Sequence, residues 1–219
     1  PDTYEHIWEG DYLRNSDAEV FHGVWSVKEF EPEDSWYPLY GLDFGFSQDP
    51  TAAVEVYISG KYLYISREAG KVGLELDKTG EFMCEHIPGM SREVVRADNS
   101  RPESISYLKR HGIPRCQSVT KWPGSVEDGI EFMRSFDKIV INPSCAEVLR
   151  EFKLYSYKVN KSTGDIMSDI VDKDNHYMDA IRYAIQPAIK SSVSAYDVYN
   201  DDDEDEYDDE YDDLSGYEW

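Results

Sequence analysis

The sequence predicts an α/β protein in which a mixed β-sheet is flanked by helices and followed by a disordered acidic tail. Three strand-like segments come first, at residues 39–44, 51–58 and 61–67, and helix-like and strand-like segments alternate after them. With 219 residues, of which 40% are hydrophobic, the chain is long enough for one sizeable core.

The three opening segments are predicted to form an antiparallel meander. The second segment is rich in β-branched residues, which favour strands. Ser59-Gly60 is typical of a hairpin turn between the second and third segments. The third segment alternates apolar and polar residues with a period of two, as a strand with one buried face does.

Proline, glycine and capping residues mark the ends of the helices that follow. Ser125 and Ser144 are predicted N-caps, and Pro187 is predicted to end the last helix. Helices are predicted at 74–87, 102–111, 125–136, 144–154 and 174–186, strands at 93–98, 115–122 and 138–143, and a hairpin at 155–167. This order, in which three antiparallel strands lead into parallel ones, predicts a ribonuclease-H-like topology.

Composition divides the chain into three parts. Residues 1–38 contain short polar and aromatic segments without a core, and are either the end of an upstream region or an ordinary N-terminal arm. Residues 39–190 form the predicted α/β domain. Residues 191–219 lack apolar periodicity and are predicted to be disordered, because their clustered acids repel one another and bury no core.

The charge of the chain counts against a simple cationic nucleic-acid binder. The formal net charge is -23, and the thirteen acids of residues 197–219, which include no Lys or Arg, leave -10 for the rest. An enzyme whose acidic cleft is covered by divalent metal is not excluded, because the ion reverses the local field.

Other motifs are missing from the sequence. Cys84, Cys116 and Cys145 lie far apart without zinc-binding spacing, which predicts free thiols in a reducing compartment. There is no signal peptide and no apolar run of about 18 residues, so we expect no membrane partner. No GxxxxGK[ST] motif is present, so we predict no P-loop in these residues.

Asp43 is the first candidate functional residue, because it interrupts the apolar run at 39–44. A carboxylate in such a run is costly to desolvate unless it is neutralised. A hard cation such as Mg2+ would neutralise it, since Mg2+ prefers oxygen ligands. The alternative is a strand-end acid that caps a turn or pairs with an arginine.

Two further acids and a histidine are predicted to join Asp43. Asp43 and Asp98 end strands, and open α/β sheets bind ligands at the carboxyl ends of their strands. His176 and Asp179 are three residues apart on the last helix and share a face. If this helix crosses the sheet, three carboxylates meet and repel one another unless metal lies between them. We therefore predict two Mg2+ or Mn2+ ions that Asp43 bridges. The two ions are expected to clamp the attacking and leaving oxygens of a phosphodiester.

Other polar residues are assigned supporting roles. Asp49 is either a turn residue or a support for the metal ligands, and the acids at 169, 172 and 174 are expected in a solvated loop. Basic side chains are expected to guide a DNA backbone without reading its sequence. The candidates are Lys121, Lys153, Lys158, Lys161 and Lys173.

Three segments resemble the C-terminal nuclease domain of the large terminase subunit of tailed bacteriophages. They are YGLDFGFSQDPTA at 40–52, RADNS at 96–100 and NHYMDAIRYA at 175–184. Residues 4–12 look like the segment that closes the ATPase region of that family, and the resemblance covers about residues 1–190.

The resemblance implies a metal-dependent endonuclease that cuts concatemeric double-stranded DNA when packaging starts and ends. Asp43, Asp98 and Asp179 match the three metal-binding acidic positions, and His176 matches a position beside the metals in some members. The hairpin at 155–167 resembles an element that the family places by the cleft. The implied partners are double-stranded DNA, the ATPase domain of the same subunit, the small terminase subunit and the portal protein. The implied location is the packaging motor in the host cell cytoplasm, outside the mature virion.

Two alternatives remain open at this stage. The chain is a non-catalytic module whose acidic tail docks on the portal or on a motor partner, or it is a junction resolvase with the same fold. Deletion of the tail and the choice between branched and linear DNA would separate them.

Overall fold

The computed structural model describes residues 18–45, 47–160, 162–171 and 173–192. In this described part, the strands are Trp25–Val27 (β1), Leu39–Asp43 (β2), Pro50–Ser59 (β3), Tyr62–Val72 (β4), Val95–Ala97 (β5), Cys116–Ser118 (β6), Lys138–Ile141 (β7), Tyr157–Val159 (β8) and Ile166–Ile170 (β9). The first seven strands form one sheet with the order β1-β7-β4-β3-β2-β5-β6, and β8 and β9 form a separate hairpin.

Helices cover both faces of this sheet. The α-helices are Leu76–His86 (α1), Pro102–Arg110 (α2), Ser125–Arg134 (α3), Ala146–Leu154 (α4) and His176–Ala184 (α5). One buried cluster includes Ile130, Phe152 and Ile181 from α3, α4 and α5. The other includes Met83 and Leu108 from α1 and α2. Each helix therefore buries its apolar stripe against one face of the sheet, as amphipathic helices do.

The sheet confirms the predicted mixed topology. β2, β3 and β4 are antiparallel neighbours, as predicted. β5 and β6 extend the sheet in parallel from β2, and β7 lies parallel to β4. β4 is longer than predicted because Val72 still pairs with Pro50 at the start of β3. The predicted ribonuclease-H-like mixed sheet flanked by helices is thus confirmed.

Part of the predicted N-terminal arm belongs to the sheet. β1 pairs in parallel with β7 at one edge. Phe21, just before β1, is fully buried and lies 5.2 Å, between ring centroids, from Phe152 of α4. A strand of three residues has too little periodicity to be recognised in the sequence.

Three predicted helix ends differ in the structure. The N-cap of α3 is Gly124, whose φ of +83° suits glycine, rather than Ser125. The N-cap of α4 is Cys145, and Ser144 instead donates its hydroxyl to Asn142 Oδ1. Pro187 does not end the last helix. After a turn at Ile185, residues 186–192 are helical again, because a proline in a first turn gives up no needed N–H.

The predicted hairpin is present as β8 and β9, and it reaches Ile170 rather than ending at 167. The acidic tail from residue 193 onwards and residues 1–17 lie outside the described residues. Among the helices that the structure describes, none has the length and apolar character needed to cross a bilayer.

Candidate active site

Asp43 and Asp98 lie at the same edge of the sheet. β2 and β5 are parallel, with Leu42 beside Ala97, so their carboxyl ends coincide. The N–H of Asp98 donates to Leu42 O at 3.1 Å, which fixes Asp98 next to the end of β2. Both acids are only 8% exposed. The parallel register therefore brings together two acids that are far apart in the sequence.

Helix α5 crosses β2 in direct contact. A Cβ atom on Gly41 would lie 1.8 Å from the backbone oxygen of Ala180, so only glycine permits this approach. The contact carries the first turn of α5, with His176 and Asp179, to the edge where β2 ends. The condition set in the sequence analysis for the acids to meet, a last helix that packs across the sheet, is thus present in the structure.

His176 bridges two acids. Its Nδ1 lies 3.0 Å from Asp43 Oδ2, and its Nε2 lies 3.5 Å from Asp49 Oδ1. The hydrogen bond with Asp43 raises the pKa of His176 from 6.5 to about 9, and burial opposes this only in part. Asp49 therefore supports a site residue, in addition to its place in the turn before β3.

Asp98 is bound by a lysine and a serine. Lys121 Nζ lies 2.5 Å from Asp98 Oδ1, and the Ser100 hydroxyl donates to Asp98 Oδ2. Burial opposes the negative charge, but these hydrogen bonds outweigh it and lower the pKa of Asp98 below its usual value. Lys121, predicted to guide DNA, thus contacts one of the acids directly.

Asp179 pairs with Arg182, one helical turn further along α5. Arg182 Nη2 lies 2.5 Å from Asp179 Oδ1. Burial raises the pKa of Asp179, against the effect of the guanidinium. The Arg182 stem packs on Gly129 of α3, where a Cβ atom would lie 2.9 Å from Arg182 Cδ. The Asp179–Arg182 pair is therefore held between two helices.

The three acids share one electrostatic environment. Burial raises the pKa of the Tyr183 hydroxyl, and the charges of Asp179, Asp43 and Asp98 raise it further. The charge of Asp43 also raises the pKa of Asp179. All three carboxylates thus act on one neighbouring hydroxyl, and Asp43 also acts on Asp179.

The acids do not form a ready-made ligand set. Across residues 18–45, 47–160, 162–171 and 173–192, no three His, Cys, Asp or Glu side chains are grouped so that they could hold a metal ion. Instead, each acid has a basic partner: His176 for Asp43, Lys121 for Asp98 and Arg182 for Asp179. The carboxylate donors suit Mg2+ or Mn2+. The residues fit such an ion chemically, provided that it replaces the basic partners as the source of positive charge.

A cleft of about 650 Å3 opens beside His176. Lys71, Arg150 and Lys173 line it, together with acids that include Asp49 and Asp174. Arg150 Nη1 lies 3.3 Å from Asp174 Oδ1. The walls therefore carry charges of both signs.

Three of the other predicted basic residues lie on the surface. Lys158 of β8 lies 3.5 Å from Asp169 of β9, and Lys173 lies 3.8 Å from Asp174. Lys153 is exposed on α4, and Lys161 is outside the described residues. Their contact with DNA stays a prediction. Asp169 belongs to β9 rather than to a loop, and Asp172 is outside the described residues.

Glu151 is a site neighbour that the sequence analysis did not single out. It is fully buried on α4 and accepts hydrogen bonds from the N–H groups of Tyr177 and Met178, at 2.8 and 3.0 Å. Burial raises its pKa to about 7. The signal in the sequence was an acid on the apolar face of a helix, at the spacing that places Glu151 with Val148 and Phe152.

Known proteins share this fold and much of this sequence. A family model described as the terminase RNAseH like domain matches residues 43–187. The large terminase subunit of Bacillus phage SPP1 is 36% identical over 154 residues, which cover 68% of this chain and 36% of that subunit. The PBSX phage terminase large subunit of Bacillus subtilis strain 168 is 32% identical over 147 residues, which cover 66% of this chain and 33% of that subunit. The chain spans about a third of the length of these two subunits.

A solved structure matches over most of the described residues. The crystal structure of the SPP1 large terminase nuclease domain with bound Mn has a TM-score of 0.67 and 32% sequence identity to this chain. The match covers 76% of this chain and 97% of that domain.

Proposed function

The chain belongs to the terminase RNase H-like family of large-subunit nuclease domains, and from this premise we propose that it is a metal-dependent DNA endonuclease. Its proposed substrate is concatemeric double-stranded viral DNA, which it cuts when packaging starts and ends. The family favours this substrate over the branched DNA of a junction resolvase.

One observation carries the proposal: three acids from β2, β5 and α5 converge at the edge where parallel strands end. Asp43 and Asp98 are fixed by the strand register, and Asp179 by the contact of α5 with Gly41. Convergence of buried acids from separate elements is costly unless positive charge neutralises them, and a bound cation would add to the charge of their basic partners.

The proposed metal ligands are the three acids with His176, which would hold two Mg2+ or Mn2+ ions. The SPP1 nuclease domain, which is similar to this chain, has bound Mn, and this supports the choice of a divalent ion. When bound, such ions activate a water and neutralise charge on the leaving oxygen of a phosphodiester.

The residues of the chain itself supply position and charge. Asp43 orients the His176 ring through Nδ1, and Asp49 lies close to its Nε2. Lys121 stabilises Asp98 and, being partly exposed, places positive charge where a DNA phosphate would approach, whereas the buried Arg182 stabilises Asp179. Surface lysines such as Lys158 would hold the backbone without reading its sequence.

We expect this chain alone to bind DNA weakly, because its net charge of -23 repels the phosphates. Tight binding in the motor would then come from the proposed partners, which are the ATPase domain of the same subunit, the small terminase subunit and the portal protein. The proposed location is the packaging motor in the host cytoplasm.

The deciding experiment is nicking of supercoiled plasmid with Mn2+ or Mg2+, with an EDTA control. The chain should nick and linearise the plasmid only with metal, and Asp98→Asn should abolish this activity. Asp77→Asn, an exposed acid of α1, is the matched control and should cut like the original chain. Full activity of Asp98→Asn would refute the assignment of the site, and no cleavage by the original chain with either metal would refute the nuclease.

A further inference from the structure

Glu151 holds the first turn of α5 from the neighbouring helix. A single oxygen, Oε2, accepts the N–H of Tyr177 at 2.8 Å and the N–H of Met178 at 3.0 Å. The side chain is fully buried, and its second oxygen has no hydrogen-bond partner in the described residues. A carboxylate is therefore kept in the core to serve two backbone amides.

Helix α5 lacks a cap of its own. Its N-cap residue, Asn175, makes no side-chain capping hydrogen bond. The first N–H groups of a helix have no partner within it and need an acceptor from elsewhere. Glu151 supplies that acceptor from α4, so the start of α5 is fixed by tertiary structure.

The two amides held by Glu151 lie between His176 and Asp179. His176 directly precedes Tyr177, and Asp179 directly follows Met178. Because a helical turn moves as a unit, the oxygen that fixes these amides also fixes both neighbouring side chains against β2. We propose that Glu151 is a positioning residue of the nuclease, which sets His176 and Asp179 against Asp43. This inference rests on the proposed function.

The chain contains a matched comparison for this role. Glu68 of β4 accepts the N–H groups of Glu147 and Val148, at 2.9 and 2.7 Å, and so holds the first turn of α4. Glu68 uses one oxygen for each amide, whereas Glu151 uses a single oxygen for both. The first turn of α4, which Glu68 holds, carries neither His176 nor any of the three converging acids.

Two substitutions at Glu151 separate the effect of where its oxygen lies from the effect of its charge. Glu151→Gln keeps an oxygen at the same distance and removes the charge, whereas Glu151→Asp keeps the charge and withdraws the oxygen. We expect Glu151→Gln to keep kcat in Mn2+-dependent plasmid nicking within about threefold. Glu151→Asp should lower kcat by about tenfold to a hundredfold, as misplacement of catalytic groups by about 1 Å does. KM should change little, because the surface lysines are untouched.

Hydrogen exchange supplies a readout that does not depend on activity. The amides of Tyr177 and Met178 should exchange faster in Glu151→Asp and remain protected in Glu151→Gln. Glu68→Gln and Glu68→Asp are the controls, assayed well below the unfolding temperature of each variant. Glu68→Asp should speed exchange at Glu147 and Val148, and Glu68→Gln should speed it at one of the two, since its side chain keeps one acceptor oxygen. Both should keep kcat within about threefold.

Each outcome bears on the inference. A Glu151→Asp variant that cuts normally would overturn it, and so would a Glu151→Gln variant that fails as badly as Glu151→Asp. Unfolding of Glu151→Asp, with Glu68→Asp still folded, would assign Glu151 to stability and also overturn it. If the original chain itself does not cut, the proposed function fails rather than the role of Glu151, and the amide exchange still tests whether Glu151 fixes the turn.

Discussion

Two buried acids on neighbouring strands, Asp43 of β2 and Glu55 of β3, meet different surroundings. They are 8% and 6% exposed, so burial alone does not distinguish them. Glu55 lies 3.5 Å from Arg67 and hydrogen-bonds with the hydroxyls of Tyr40 and Tyr57. Within the described residues, the partners found for Glu55 include no other acid.

Asp43 lies in a group of acids instead. The charge of Asp43 contributes to raising the pKa of Asp179 and of Tyr183. The partner of Asp43 is His176, from the helix that crosses the sheet. Glu55 is satisfied by neutral donors and one partly exposed arginine, as a structural acid is. The difference teaches that a functional site is indicated by convergence of acids from separate elements, and not by a buried acid as such.

The sharpest test of this contrast replaces each acid by its amide. Asp43→Asn should lower Mn2+-dependent cleavage on the order of 10³-fold, because it removes a proposed metal ligand worth several kcal/mol. Glu55→Gln should cut within about threefold of the original chain. Initial rates of plasmid nicking measure both variants. Equal losses would break the contrast, since both acids would then act in the same way.

The next test concerns the contact that brings α5 to Asp43. Gly41→Ala places a Cβ atom against the backbone of Ala180 and should lower the free energy of unfolding by about 3 kcal/mol. Gly60→Ala, in the β3–β4 turn, meets no atom within 4 Å, and its φ of +57° should cost about 1 kcal/mol. Urea unfolding followed by circular dichroism compares them. A smaller loss for Gly41→Ala than for Gly60→Ala would contradict the close approach.

A third test concerns Glu151, a buried acid that belongs neither to the group around Asp43 nor to the surroundings of Glu55. Burial raises its pKa from 4.5 to about 7, so the folded chain binds more protons than the unfolded chain between these values. The free energy of unfolding should therefore fall as pH rises from about 4.5 to 7, by about 2 kcal/mol. Glu151→Gln should lack this component. The difference between the two unfolding curves, measured with EDTA present, isolates Glu151, and identical curves would contradict the raised pKa.

The smallest expected effect is at the surface. Lys158→Ala, on the hairpin, should weaken DNA binding about threefold and lower the salt slope by about one. Lys109 lies in the last turn of α2, at the end of the sheet away from the carboxyl ends of β2 and β5. Lys109→Ala should therefore change neither the affinity for DNA nor the salt slope. Fluorescence titrations of labelled duplex at several salt concentrations measure both slopes. Equal slopes for both variants would remove the hairpin from the DNA surface.

Much of the fold followed from local patterns. The period-two alternation of residues 61–67 and the β-branched run at 51–58 predicted the meander, and both are observed. The candidate acids were found because Asp43 interrupts an apolar run and His176 and Asp179 share a helix face. Those signals lie within a few residues of each other, so one sequence suffices to recognise them.

The partners of the charged groups did not follow from the sequence. Glu151 and Glu68 act as caps for helices to which they do not belong, so Ser144 was not needed as the cap of α4. Lys121 was expected to meet DNA, and its pairing with Asp98 depends on where the segment after β6 folds back.

The sequence by itself determined the order of elements, the amphipathic faces and the acids that interrupt apolar runs. Only the tertiary structure decided how most of the buried charges are satisfied, because a contact such as that between Glu68 and the N–H of Val148 joins positions 80 residues apart. Hydrophobic periodicity is a property of neighbouring residues, whereas the neutralisation of a buried charge depends on whichever element folds against it.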